Sequence, residues 1–122
     1  MSEYKEKFDL VNEVLYVNLT GKFPNDILQR YKNAFQPLID ACTASGCKKA
    51  LIDARELEID LKIAELFRVG EDAADLTELG LRIALLARDD MLDQFFDDVV
   101  YNRGGGIGVF TDIQEAEVWL RK

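Results

Sequence analysis

At 122 residues the chain has the length of one domain with its own core, and a single domain over 1–122 is expected. A composition of 48% apolar and 31% charged residues fits a folded globular protein and leaves no apolar run long enough to span a membrane. The formal net charge of −8 argues against a basic surface for nucleic acid or anionic membrane, and the lack of any His removes Ser-His and Cys-His catalytic pairs.

The N-terminal "MSEYKEKFDL" has no apolar stretch after its charges, so no signal peptide is expected. In "KFDLV" Phe8 and Leu10 share one face. In "EVLYVNLT" Leu15, Val17 and Leu19 share one face and Tyr16, Asn18 and Thr20 the other. This period of two predicts a hairpin, with Asn12-Glu13 placed to turn although it is not a strong turn pair. Gly21 is expected to break the second strand.

"KFPND" then leads into a helix with Asn25 as N-cap. Ile27, Leu28, Tyr31, Ala34, Phe35, Leu38, Ile39 and Cys42 recur at helical spacing. Pro37 predicts a kink or a break in that pattern, and Gly46 its end. Cys42 and Cys47 in "CTASGC" match neither CxxC redox spacing nor a full zinc site, so reduced, packed thiols and a cytoplasmic location are expected.

"KKALIDA" reads as a buried strand ending at Asp53, followed by the loop "RELEID" and a helix N-capped by Asp60. That helix carries Leu61, Ala64, Leu66, Phe67 and Val69, continues to Leu76 and ends at Gly80. "LRIALLA" is the clearest interior strand, since its apolar run is continuous. A further helix in "DDMLDQFFDDVVY" presents Met91, Leu92, Phe95, Phe96, Val99 and Val100. "IGVF" is a last strand. Thr111 N-caps a final helix, with Gln114 completing a capping box and Ile113, Ala116, Trp119 and Leu120 as its buried face. The order β-β-α-β-α-β-α-β-α predicts an α/β domain with a mostly parallel central sheet, an N-terminal hairpin and helices packed on the sheet.

"YNRGGGIGVF" invites a phosphate-binding reading. Gly104 and Gly106 fill two positions of a dinucleotide fingerprint, but the third falls on Val109, and no P-loop Lys follows. The run also follows a helix and opens a strand, whereas phosphate sites use the N–H groups of a helix N-terminus. A helix end and a flexible connection account for it; Arg103 remains a candidate anion-binding residue. Asp53, Asp60, Asp89 and Asp90 lie near expected strand ends, where α/β proteins collect ligands. A phosphoryl-accepting receiver would need an acidic pair after its first strand, and "NLTGKF" has none. Capping and loop hydrogen bonds account for these acids. The group Glu71, Asp72, Asp75 and Glu78 reads as a solvated helix face, since a helix cannot wrap oxygens around Ca²⁺. No cofactor and no metal site is expected.

Leu19-Thr20-Gly21, Leu51-Ile52-Asp53 and Asp60 at a helix start, followed by "NRG", "VFTD" and "EAEVWL", resemble the STAS domain along nearly the whole chain. That family includes sulfate-transporter C-terminal domains and bacterial anti-sigma-factor antagonists; the C-terminal pieces are similar to small bacterial STAS/SEC14-like proteins. The resemblance implies a STAS-like fold and a non-enzymatic module that binds a partner protein, or a second copy of itself. In the regulatory antagonists a phosphorylated Ser follows the Asp; here Leu61 and Lys62 follow Asp60, so that switch is expected to be missing. The candidate partner surface is Lys22, Arg55, Asp60, Leu61 and Lys62. The SEC14-like similarity implies an alternative, a carrier or sensor of a small apolar ligand in a pocket near Phe67, Phe95 and Phe96. A metal-dependent enzyme using strand-end Asp residues is the third reading.

Overall fold

The computed structural model describes residues 3–24, 26, 30, 32–33, 35–58, 71–72, 75–76, 78–90 and 107–121. Five strands form one sheet in the order β1-β2-β3-β4-β5: β1 Lys5–Val11, β2 Val14–Lys22, β3 Lys49–Glu58, β4 Arg82–Leu86 and β5 Ile107–Phe110. β1 pairs antiparallel with β2, and every later pair is parallel. Among the described residues the two longer helices are α1, Gln36–Ser45, and α2, Ile113–Arg121. Shorter helical stretches lie at Asp75-Leu76 and Asp89-Asp90. The α/β architecture with an N-terminal hairpin and a mostly parallel sheet is the one the hydrophobic pattern predicts.

The sheet buries both faces. Leu15, Val17, Ala50, Ile52 and Ile83 pack with Leu38 and Cys42 of α1 and with Leu76. Leu51, Ala84 and Leu86 pack on the other face with Ala116 and Leu120 of α2. Alternation along each strand feeds both layers, because successive side chains point to opposite faces. β4 shows this best: Ile83, Ala84 and Leu86 are all buried, as the unbroken run "IALL" requires. Each large aliphatic side chain buried in this way contributes about 1.5–3 kcal/mol.

The hairpin closes through Asn12 (φ 51°) and Glu13 (φ 68°). Two consecutive positive φ values match the twist of the flanking strands. Asn adopts this region with little strain, Glu less readily. Strand pairing therefore sets a turn that the sequence encodes only weakly.

The interruption expected at Pro37 falls just before it. Residues 32 and 33 bend, and α1 begins at Gln36, which places Pro37 in the first helical turn. There its missing N–H costs nothing. Phe35 is the N-cap and has no capping side chain. Asn33 serves instead: its Oδ1 accepts the Phe35 N–H at 2.8 Å and its carbonyl accepts the Gln36 N–H at 3.0 Å. Its Nδ2 donates to the Asp72 carbonyl and to Asp75 Oδ2, at 3.3 and 3.4 Å. Asn33 is buried, so these bonds offset the cost of removing its amide from water.

Three boundaries differ from the sequence reading. Gly21 does not break β2, which continues through it to Lys22; Gly21 has φ +87° and pairs with Leu57 of β3. "RELE" is not a loop but the second half of β3, which runs to Glu58. Strand pairing to the end of β2 satisfies its backbone groups. The final helix starts one residue later than expected. Asp112, not Thr111, is its N-cap, with Oδ1 accepting the Gln114 N–H at 3.3 Å and its carbonyl accepting the Ala116 N–H at 3.1 Å. The expected cap Asn25, and residues 61–70 and 91–101 of the two expected helices, lie outside the described residues.

Candidate functional site

The carboxyl ends of β2, β3 and β4 meet around a bulge. From Asn18 to Thr20 β2 advances two residues, while its partner advances three, from Asp53 to Glu56. The extra residue makes β3 kink and twist locally. Asp53 holds this geometry. Its Oδ1 accepts the Arg55 backbone N–H at 3.1 Å. The Arg55 guanidinium reaches back with two more bonds, Nε to Oδ1 at 2.9 Å and an Nη to Oδ2 at 2.8 Å. The bidentate pairing is the strong form of a carboxylate–guanidinium contact. It holds the Asp53 carboxyl below its ordinary range, with the Arg55 side-chain bonds as the largest cause, and raises the Arg55 pKa in return.

Beyond Asp53, β3 has no strand partner on the β4 side among the described residues; β4 pairs with it from Lys49 to Asp53. Arg88, two residues past the end of β4, takes that place. One Nη donates to the carbonyls of Arg55 at 2.5 Å and Leu57 at 3.2 Å, while Nε donates to Asp90 Oδ1 at 3.1 Å. A side-chain fork thus replaces a strand's hydrogen bonds. Arg88 carries no periodic signal; its position immediately after "LRIALLA" is the only sequence cue to its role.

On the other side, Glu3 and Tyr4 cross over Gly21. A Cβ on Gly21 would stand 2.1 Å from the Glu3 carbonyl oxygen. The "LTG" signature therefore has a local cause: positive φ and a backbone crossing leave room only for Gly. Tyr4 then packs edge-on against Phe23, with ring centroids 5.7 Å apart.

Lys22 and Arg55 therefore lie at the same end of the sheet, both exposed, and Lys22 is in register with Glu58. Arg55 sits on a bulged strand, not on the expected loop. Asp60, Leu61 and Lys62 lie outside the described residues, as do Phe67, Phe95, Phe96 and Arg103. Asp53 is not at the strand's end, and both of its oxygens are engaged by Arg55. Among the described residues no group of three or more His, Cys, Asp and Glu is arranged to hold a metal ion. What this end offers chemically is a set of exposed charges, Lys22, Arg55, Glu56, Glu58 and Arg88, of which Arg55 and Arg88 are held by hydrogen bonds.

The opposite end is built differently. Cys42 and Cys47 are both buried and free. The Gly46 and Cys47 N–H groups both bond the Cys42 carbonyl, with Gly46 at φ +74°. The Cys47 bond is the longer bond of a Schellman ending, which brings the residues before and after the glycine into contact. The five-residue spacing of the thiols is the spacing of that contact. Burial, with the Cys47 hydrogen bond second, pushes the Cys42 thiol up to about 12. A cleft of about 490 Å³ opens nearby, between the hairpin turn and the ends of α1 and α2, lined by Asn12, Lys49 and Arg121 among others. Within it Tyr16 donates a 2.6 Å bond to Glu117, which raises the phenol's pKa. No local sequence pattern marks this cleft, because its lining comes from segments far apart in the chain.

No helix among the described residues is long and apolar enough to cross a membrane. No family model matches the chain, and no curated protein matches it in sequence. Solved structures do match in shape. An anti-sigma factor antagonist from Mycobacterium paratuberculosis aligns over 98% of this chain and 96% of its own, with a TM-score of 0.69 at 13% identity. An uncharacterized Shewanella loihica protein with a SpoIIAA-like fold aligns over 98% and 95%, with a TM-score of 0.57 at 18% identity. The Bacillus cell fate determinant SpoIIAA, in its phosphorylated form, aligns over 96% and 99%, with a TM-score of 0.56 at 12% identity. The strand order, the hairpin and these alignments together give the chain a STAS-like fold, shared with SpoIIAA and the anti-sigma factor antagonist.

Proposed function

We propose that the chain is a non-enzymatic regulatory module and that the carboxyl end of its sheet docks a partner protein. The carrying observation is the network at the bulge. Asp53 and Arg88 fix the backbone there and hold the Arg55 guanidinium in an exposed, charged surface. Exposed charges of both signs favour specificity over simple adhesion, because a wrong partner meets like charge. The likeness to an anti-sigma factor antagonist supports an interaction role for this fold. Lys22, Arg55, Asp60, Leu61 and Lys62 form the proposed contact set. No Ser or Thr follows Asp60 in "DLKIAELF", so a phosphoserine would not control docking here.

The test is affinity capture from the source cell with the tagged chain, followed by the Lys22→Glu, Lys62→Glu double variant. Both substitutions replace Lys at the proposed surface and leave the Asp53–Arg55–Arg88 network intact. A specific partner recovered by the parent chain and lost by the variant, with an unchanged melting temperature, is the expected result. Equal recovery by both proteins would remove this surface from the reading.

A further inference from the structure

The two edges of the sheet are unlike. β5 is half-buried along its length, whereas every residue of β1 is exposed. Exposed edge strands are templates for pairing. β1 also displays apolar side chains: Phe8 is 37% exposed, Leu10 52% and Val11 49%.

The hairpin register decides which backbone groups of β1 are open. Val11 and Val14 flank the two-residue turn and form its hydrogen-bonded pair. Bonded and non-bonded pairs alternate from there. Asp9↔Tyr16, Lys7↔Asn18 and Lys5↔Thr20 are therefore the bonded pairs. The N–H and C=O groups of Glu6, Phe8 and Leu10 point away from β2, toward the open edge.

We propose that β1 pairs antiparallel with β1 of a second copy of this chain, about a two-fold axis at Phe8, so that two sheets become one. In that register the outward groups of Phe8 meet those of the other Phe8, and Glu6 meets Leu10. Lys7 falls directly opposite Asp9, twice by symmetry, in the closer non-bonded pairing where cross-strand side chains interact most. The neighbouring registers that also align outward-pointing groups are shifted by two residues. One places Lys7 opposite Lys7, and the other places Asp9 opposite Asp9. Like charges directly opposite are destabilising, so the sequence "EKFDL" selects the Phe8-centred register over both. Self-complementary charge is the signature of an isologous two-fold contact. The occupant it fits is a second copy of β1. This edge is distinct from the charged carboxyl end proposed as the docking surface, so either assignment can fail alone.

The experiment is sedimentation equilibrium of the full chain from micromolar to millimolar concentration. A reversible monomer–dimer equilibrium is expected. Phe8→Pro removes an outward N–H and no bond to β2, and should leave the chain monomeric with its circular dichroism unchanged. Should that variant not fold, a charge cycle carries the test. Lys7→Asp or Asp9→Lys alone should each weaken the dimer about tenfold, from two unfavourable cross-strand contacts, and the double variant should restore it. A wild-type chain that stays monomeric at millimolar concentration overturns the proposal. So does a dimer that the charge cycle leaves unchanged.

Discussion

The two ends of the parallel sheet solve one problem, the finishing of backbone hydrogen bonds, with different chemistry. At the amino end, two helical segments stop in the same way. Cys42, Gly46 and Cys47 repeat the arrangement of Leu76, Gly80 and Leu81: in each, the N–H of the last residue bonds the carbonyl of the first across a glycine with positive φ. Cys42, Cys47, Leu76 and Leu81 all join the same buried cluster. At the carboxyl end the finishing groups are charged side chains, Asp53 on the Arg55 N–H and Arg88 on the carbonyls of Arg55 and Leu57. The apolar solution is hidden and serves stability. The charged solution is exposed, and it makes up the surface proposed for partner docking.

The largest expected effect breaks the amino end. Leu76 is fully buried, and Leu76→Ala should cost about 3 kcal/mol of unfolding free energy, since its cavity lies under both helix and sheet. Urea denaturation checks this; a loss well below 1 kcal/mol would mean that the site collapses or that the helix end is dispensable.

A sharper comparison sets glycine against glycine. Gly21 and Gly46 have similar φ, +87° and +74°, but a Cβ on Gly21 would strike the Glu3 backbone while one on Gly46 meets nothing within 4 Å. Gly46→Ala should cost about 1 kcal/mol, the conformational penalty alone. Gly21→Ala should cost about 2 kcal/mol or more, because the crossing N-terminal segment must move as well. Equal losses in thermal unfolding would show that the Glu3–Tyr4 segment adapts freely.

The smallest effect is electrostatic. Asp53→Asn keeps the side chain's shape and weakens its bonds to Arg55, at a cost of about 1 kcal/mol at neutral pH, limited by the exposure of the Arg55 side chain. The native carboxyl titrates below the ordinary Asp value, so the unfolded chain takes up its proton first as the pH drops. The stabilisation is therefore complete above the ordinary Asp pKa and disappears as the pH falls through the lowered native value. Stability curves of parent and variant should converge in acid. A constant gap across that range would show that the pairing with Arg55 is not what Asp53 contributes.

Much of this was legible along the chain. The alternation in "VLYVNL", the unbroken "IALL" and the glycines at 46 and 80 each act through neighbours in sequence, and local sterics and hydropathy are enough to place them. The site was legible only in part. Lys22 and Arg55 stand out as charges near strand ends, but Arg88 bonds carbonyls more than thirty residues away in sequence, and no local pattern marks that. The reading of "RELE" as a loop failed for the same reason. A run of charged residues looks like a turn until β2 is laid beside it and Gly21 pairs with Leu57.

By itself, the sequence determined the α/β class, the hairpin, the buried strands and where two helices end. These follow from side-chain period and from the conformations that Gly and Pro allow. Only the tertiary structure decided the length of β3, the bulge at Asp53–Glu56, the N-terminal crossing over Gly21 and the open edge of β1. Each of these depends on which strand lies beside which, and pairing between distant segments is set by burial and by backbone hydrogen bonding across the whole sheet.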